Sequence, residues 1–143
     1  INLTKLTLSI NQLSSLPAEI GQLTKLNWLS LTVNQLTSLP VEIGHLTKLT
    51  WLNLQDNRLT SLPPEIIYLT KLETLWLAGN QLTSLPPEII RLPKLAAFDV
   101  YHNPLTSPPL EVATHGIDAI RNYFASLEQG ERTLAKGTGH SGE

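Results

Sequence analysis

The stretch LTWLNLQDNRLTSLPPEIIYLTK, residues 49–71, decides the fold, because its pattern returns along most of the chain. The next segment, LETLWLAGNQLTSLPPEIIRLPK at 72–94, places leucine, asparagine and proline at the same positions. A fixed period of this length is the signature of a solenoid, in which each unit packs only on its neighbours. Five units follow one another in register and without an insertion, at 3–25, 26–48, 49–71, 72–94 and 95–117.

Each unit contains one short strand and one return segment. Leucines at positions 4 and 6 of a unit, such as Leu52 and Leu54, alternate with outward-facing residues, which is the period of a strand with one buried face. The chain between consecutive strands is long enough for a crossover connection, so the strands must be parallel. Pro63 and Glu65 suit the start of a short helix in the return segment. The sequence therefore predicts an α/β fold with a parallel sheet of about five short strands, backed by short helical or 3-10 segments.

One asparagine recurs in every unit, where the strand turns toward the return segment. Buried turn backbone must be hydrogen-bonded, and an amide side chain can both donate and accept. We therefore interpret these residues as a structural asparagine ladder between neighbouring units. Its members are Asn11, Asn34, Asn57, Asn80 and Asn103.

The repeat resembles the leucine-rich repeat family in its intracellular form, in which an L-P-x-E-I segment recurs every 23 residues. Residues 62–66, LPPEI, carry that segment here, and the resemblance covers residues 1 to about 115. It implies a right-handed, curved solenoid shaped like a horseshoe, with the parallel sheet on the concave side. We assign residues 1–114 to the repeats.

Residues beyond the repeats follow a helical pattern. Because a solenoid exposes an apolar edge at each end, we predict a C-terminal capping helix over 115–129 that stops near Gly130. We expect a flexible tail over 130–143, which contains several glycines. No comparable cap precedes Leu3, so the N-terminal edge is a candidate contact surface. The apolar face of the predicted helix consists of Ile117, Ile120, Phe124 and Leu127.

The C-terminal ending carries a second resemblance. The run PPLEV at 108–112, the run GIDAI at 116–120 and the pair Tyr123-Phe124 are similar to the end of the repeat domain in bacterial Roco proteins and in plant Ras-group leucine-rich-repeat proteins. In Roco proteins a GTPase domain follows, and the repeats are thought to serve as an interaction or regulatory arm. The resemblance implies an alternative function as the regulatory or scaffold arm of a Roco-type GTPase, although no G-x-x-x-x-G-K-S/T phosphate loop occurs here.

Composition disfavours several classes of function. The net charge is -2 and only 15% of residues are charged, which disfavours a nucleic-acid partner. No apolar run reaches the roughly 18 residues of a membrane span, so we expect no membrane partner. The chain has no cysteine and no visible signal peptide, so we expect a cytoplasmic location. The chain begins at Ile1 rather than at methionine, so we expect a piece excised from a larger protein.

Catalytic and metal chemistry are not expected. Asp99 and His102 could be drawn as an acid–base pair, but they diverge around a turn and no serine or cysteine nucleophile lies beside them. We therefore expect neither an enzyme nor a cofactor. We also expect no metal site, because the four histidines fall in separate parts of the predicted fold, at His45, His102, His115 and His140.

The concave face is the candidate site. If positions 4 and 6 point inward, positions 3, 5 and 7 point outward, and all three tryptophans fall on them. Trp28 and Trp51 should be direct neighbours, with Trp76 and Tyr101 continuing diagonally as an aromatic stripe. Exposed apolar patches mark interaction sites, and tryptophan and tyrosine dominate interface hot spots. The candidate partner-binding residues are Trp28, Trp51, Trp76, Tyr101, Asn53, Asp56, Glu73, Asp99 and His102.

These residues predict a protein-protein interaction module that presents a rigid, preformed surface. The partner would be a protein or peptide of neutral or basic character, because Asp56, Glu73 and Asp99 flank the aromatic residues. A competing interpretation is that aromatic side chains simply suit strands and cover neighbouring pleats. A consensus-like or decayed repeat fragment without a partner is a further alternative.

Overall fold

The computed structural model describes the backbone of residues 2–140 and the side-chain environments of residues 2–130. Its centre is a five-stranded parallel sheet in which the strands follow their order in the chain. Each residue pairs with the residue 23 positions further on, as Leu29 does with Leu52. The predicted leucine-rich-repeat solenoid is confirmed. The strands are β1 (Lys5–Thr7), β2 (Trp28–Ser30), β3 (Trp51–Asn53), β4 (Thr74–Trp76) and β5 (Ala97–Asp99).

The first four units return through 3-10 helices. In the third unit, Ile66 N–H donates to the Pro63 carbonyl at 3.0 Å and Leu69 N–H donates to the Ile66 carbonyl at 3.1 Å. A third bond of the same spacing, from Leu72 to Leu69 at 3.0 Å, leads the chain back to the sheet. Successive tight turns thus satisfy backbone groups that a longer helix would satisfy internally. The four 3-10 helices are Ala18–Gln22, Val41–His45, Pro64–Tyr68 and Pro87–Arg91.

The core is one continuous column of leucine and isoleucine between the sheet and the return segments. In the third unit, Leu52, Leu54, Leu59, Ile66 and Leu69 are completely buried. The same positions are buried in the second and fourth units, so each central unit is covered by its two neighbours. This stacking explains why a chain of five similar units forms one core.

The asparagines hold the units together at the turn. The Asn57 amide group donates to the carbonyls of Leu31 and Leu54 at 2.9 and 3.1 Å, and its Oδ1 accepts from Leu36 N–H at 3.1 Å. Two of these three groups belong to the preceding unit. Asn11, in the first unit, bonds only within its own unit and is exposed. The ladder therefore links units only where a neighbour lies on the N-terminal side.

The residue before each ladder asparagine has a left-handed backbone. Its φ angle lies between 56° and 72° in all five units. Glycine adopts this conformation freely, whereas a β-branched residue such as Val33 is strained in it. Only the fourth unit places a glycine there, so the sequence pattern did not reveal the conformation. The residues are Ile10, Val33, Asp56, Gly79 and His102.

Two glycines let neighbouring 3-10 helices approach closely. A Cβ atom on Gly44 would lie 2.9 Å from the Glu65 carbonyl oxygen and 3.1 Å from Tyr68 Cδ2. A Cβ atom on Gly21 would lie 2.8 Å from the Glu42 carbonyl oxygen. The first three units therefore pack backbone against backbone on the side opposite the sheet.

The C-terminal end of the core is covered by two α-helices, α1 (Leu110–Ala113) and α2 (Ile117–His140). Three of the four predicted cap residues are buried, with Ile120 fully inaccessible, whereas Leu127 is 44% exposed. The Arg121 guanidinium donates to the carbonyls of Ile90 and Leu92 at 3.4 and 2.8 Å, which ties α2 to the fourth unit.

The capping helix differs from the prediction in its bounds. It starts at Ile117 rather than at residue 115 and runs to His140 rather than to 129. The flexibility predicted for residues 130–143 stays a prediction. Gly130 does not stop the helix, because glycine inside a helix costs only about 1 kcal/mol relative to alanine and good helix formers follow it. Residues 141–143 lie outside the described part of the chain.

Candidate protein-binding surface

The outward positions of the sheet form three rows across the five strands, which we call the concave face. The first row holds Trp28 and Trp51, the second holds Trp76, and the third ends at Tyr101. Since the strands pair in register, residues of one row lie side by side on neighbouring strands. The repeat thus turns a sequence spacing of 23 into side-by-side placement.

Trp28 and Trp51 form a stacked pair. They are direct partners in the register of β2 and β3, and their rings are 4.4 Å apart between centroids with only 4° between the planes. Since parallel rings in contact lie about 3.5–4.0 Å apart, the longer centroid distance indicates an offset stack, which is a favoured arrangement. Each tryptophan remains partly exposed. The pair therefore presents a preformed apolar surface to solvent.

Trp76 and Tyr101 stand apart from this pair. Trp76 lies between Asn53 and Asp99 in the sheet register, and Tyr101 follows β5 with 52% of its surface exposed. Within the described residues, no ring contact joins either aromatic side chain to the stacked pair or to the other. The aromatic stripe predicted from the sequence thus consists of a stacked pair and two aromatic residues without ring contacts to it.

Polar side chains around the aromatic residues are held by the backbone at the ends of the strands. Asn53 Oδ1 accepts from Gln55 N–H at 3.0 Å, and Asp99 Oδ1 accepts from Tyr101 N–H at 2.9 Å. Beside Trp28, Ser30 is buried and shares a hydrogen bond of 2.8 Å with Ser9. These bonds fix the side chains before any partner arrives.

Acidic groups lie on both sides of the aromatic residues. Asp99 is next to Trp76 on the sheet. Glu73 precedes β4 and Asp56 follows β3, so Glu73 and Asp56 lie at opposite ends of the strands. Glu73 and Asp56 are exposed, and the Asp56 carboxylate packs against Gly79 in the next unit. In the part of the chain that the structure describes, none of the three carboxylates forms an ion pair.

Asp99 and His102 do not form a catalytic pair in this arrangement. Asp99 directs Oδ1 to the Tyr101 backbone, and His102 sits in the left-handed turn with a φ angle of 59°. No hydrogen bond between the two side chains occurs among the described residues. Over the same residues, no group of three or more histidine, aspartate or glutamate side chains is placed to hold a metal ion. No described helix is long and apolar enough to cross a membrane.

Comparisons with known proteins agree with this geometry. The family model described as leucine rich repeat matches residues 1–59 and 47–105. A leucine-rich-repeat protein of Leptospira interrogans of known structure is 40% identical, with a TM-score of 0.65, over 71% of this chain and 32% of that one. An internalin of Listeria monocytogenes is 28% identical, with a TM-score of 0.63, over 71% of this chain and 28% of that one.

The leucine-rich repeat domain of the type III effector XopL is 29% identical, with a TM-score of 0.65, over 72% of this chain and 38% of that one. This chain thus spans about a third of the length of these three structures. No curated protein matches the sequence at a significant level. The resemblance of the C-terminal ending to Roco and Ras-group proteins stays a prediction. The family match covers well over half of the residues, so the chain belongs to the leucine-rich repeat family.

Proposed function

We propose that the concave face binds a protein or peptide and that the Trp28–Trp51 pair anchors it. Leucine-rich repeats are commonly protein-interaction modules, and the stacked pair is the observation that supports this role here. Large aromatic side chains at the centre of a surface contribute strongly to interfaces because they bury much area at little entropic cost.

Rigid display is the mechanism of this proposal. The two strands that carry the pair, β2 and β3, are hydrogen-bonded to a neighbour on both sides, and the stacked rings already occupy one arrangement before binding. Binding therefore costs little free energy for ordering of the concave face. The partner itself carries most of the remaining ordering cost.

The charge of the face favours a neutral or basic partner segment. Asp99 keeps one carboxylate oxygen free of the bond to Tyr101, and it lies across the sheet from Trp76. An arginine side chain can stack on an indole ring while its guanidinium bonds a carboxylate. We expect such a residue near Trp76 and apolar side chains over the stacked pair.

The alternative function as the arm of a Roco-type GTPase would place the principal contact on α2 instead. No observation on the described part of α2 favours that contact over the concave face, so this alternative also stays a prediction. Deletion or substitution on the two surfaces distinguishes the two functions.

The experiment compares proteins captured from cell extract by the wild type, by Trp28→Ala/Trp51→Ala and by Tyr68→Ala. Tyr68 is the matched control, because it is a large aromatic residue that is 57% exposed on a 3-10 helix, away from the sheet. We expect the wild type and Tyr68→Ala to retain the same partners and the double variant to lose them. Circular dichroism establishes that all three are folded. Identical partners for all three folded proteins would refute the concave site.

A further inference from the structure

A second surface lies along the edge of the solenoid where each return segment enters the next strand. One lysine occupies this place in each of the first four units, and all four are exposed. We call this set the lysine row. Its members are Lys25, Lys48, Lys71 and Lys94.

The backbone fixes the spacing of the lysine row. The residues two positions after the lysines form their own hydrogen-bond series: Thr50 N–H donates to the Asn27 carbonyl at 2.8 Å, Glu73 N–H to the Thr50 carbonyl at 2.9 Å and Ala96 N–H to the Glu73 carbonyl at 3.0 Å. Consecutive lysines lie in the turns just before neighbouring strands, so their backbones are spaced by one strand separation, roughly 4.8 Å.

Repulsion between neighbouring ammonium groups acts on Lys48, in the middle of the lysine row. The pKa of Lys48 is lowered, chiefly by the positive charge of Lys25, and Lys71 adds to the effect. Among the described residues no carboxylate lies within ion-pair distance of any of the four. The row is thus a regularly spaced series of positive charges, and no described carboxylate forms an ion pair with them.

An acidic neighbour and a basic neighbour mark the C-terminal half of the row. Glu73 is exposed two residues after Lys71. Arg121 bonds the Leu92 carbonyl close to Lys94, but it also forms an ion pair with Asp118 at 2.9 Å. Lys48, which feels the positive charges of both Lys25 and Lys71, is therefore the centre of the proposed site.

We propose that the lysine row binds an extended acidic segment of a partner protein, at a site separate from the concave face. Alternate side chains of an extended strand lie about 6.6 Å apart on one face, a spacing that flexible lysine side chains can follow. Carboxylates placed along the row would relieve the repulsion among the ammonium groups. A peptide fits better than a nucleic acid, because the row consists of lysines alone and offers bases no aromatic or arginine side chain to stack on.

The test uses a fluorescein-labelled peptide of eight glutamates and measures its binding by fluorescence anisotropy in low salt. The row variant is Lys48→Gln/Lys71→Gln, and the matched control Lys5→Gln/Arg58→Gln removes the same charge from exposed residues elsewhere. We expect about five- to tenfold weaker binding for the row variant and about twofold or less for the control. Equal weakening in both variants, or no binding by the wild type, would overturn the proposal.

Two further measurements define the ligand class and the location of this site. An octanucleotide should bind more weakly than the octaglutamate, and tighter binding of the nucleotide would overturn the assignment to a peptide. In an NMR titration, shifts should appear in the backbone amides around the row and not in the indole N–H signals of Trp28 and Trp51. The variant Trp28→Ala/Trp51→Ala should bind the octaglutamate as the wild type does, so the two proposed sites can fail independently.

Discussion

Replacement of one ladder asparagine tests how the units are held together. In Asn57→Ala, the Leu36 N–H and the carbonyls of Leu31 and Leu54 lose the partner that the amide supplied. Both carbonyls keep the amide donor of a neighbouring ladder asparagine, so the Leu36 N–H is the group left without a partner. An unpartnered buried group costs about 1–3 kcal/mol and each lost bond to a carbonyl about 0.5–1.5 kcal/mol, so we expect a loss of about 2–6 kcal/mol in the free energy of unfolding. A chain of this length is typically stable by about 7–20 kcal/mol, so the loss should be large but compatible with folding.

Asn11→Ala is the matched control for this variant. It removes the same amide from the same position of the repeat, but Asn11 is exposed and bonds only the carbonyls of Leu8 and Ser9. Water can replace the amide there, so the cost should stay below about 1 kcal/mol. Urea unfolding followed by circular dichroism gives both values. If the two variants lose the same stability within about 0.5 kcal/mol, the bonds between units do not stabilise the stack.

Two further predictions concern the backbone. Val33→Asn should raise the free energy of unfolding by about 0.5–1 kcal/mol, because asparagine tolerates the left-handed conformation better than a β-branched residue. A lower urea midpoint for this variant would show that packing of the valine side chain stabilises the fold more than its backbone strain destabilises it. Gly44→Ala should lower the thermal midpoint, because its Cβ would lie 2.9 Å from a backbone oxygen of the next 3-10 helix, whereas Gly130→Ala in α2 meets nothing within 4 Å and should gain about 1 kcal/mol. The opposite order of the two alanine variants in differential scanning calorimetry would contradict the close approach inferred at Gly44.

The fold could be predicted from sequence because the period is strict. Leu52 and Leu54 alternate with outward residues, and the recurrence of both at 23-residue intervals requires parallel strands in register. The left-handed residue before each asparagine could not be predicted, because its conformation is imposed by the turn and not by the side chain. The end of α2 was also missed, since Gly130 is compatible with both a helix interior and a helix stop.

The candidate site was predictable as a set of positions but not as a set of contacts. Equal positions in adjacent units must lie side by side, so the neighbourhood of Trp28 and Trp51 followed from the register alone. The orientation of their rings did not, because it depends on rotamers that the spacing leaves open. Trp76 shows the limit most clearly, since a diagonal step across the sheet does not guarantee contact between rings.

The asparagine ladder has a consequence for how such a chain can change over generations. Every ladder amide after the first addresses the same backbone atoms of the preceding unit, regardless of which side chains that unit carries outward. A unit duplicated in frame would therefore form the asparagine bonds to the units on both sides without any further substitution. Recombination can lengthen or reorder the array while the hydrogen bonds between units stay the same. The outward-facing residues remain free to change for new partners.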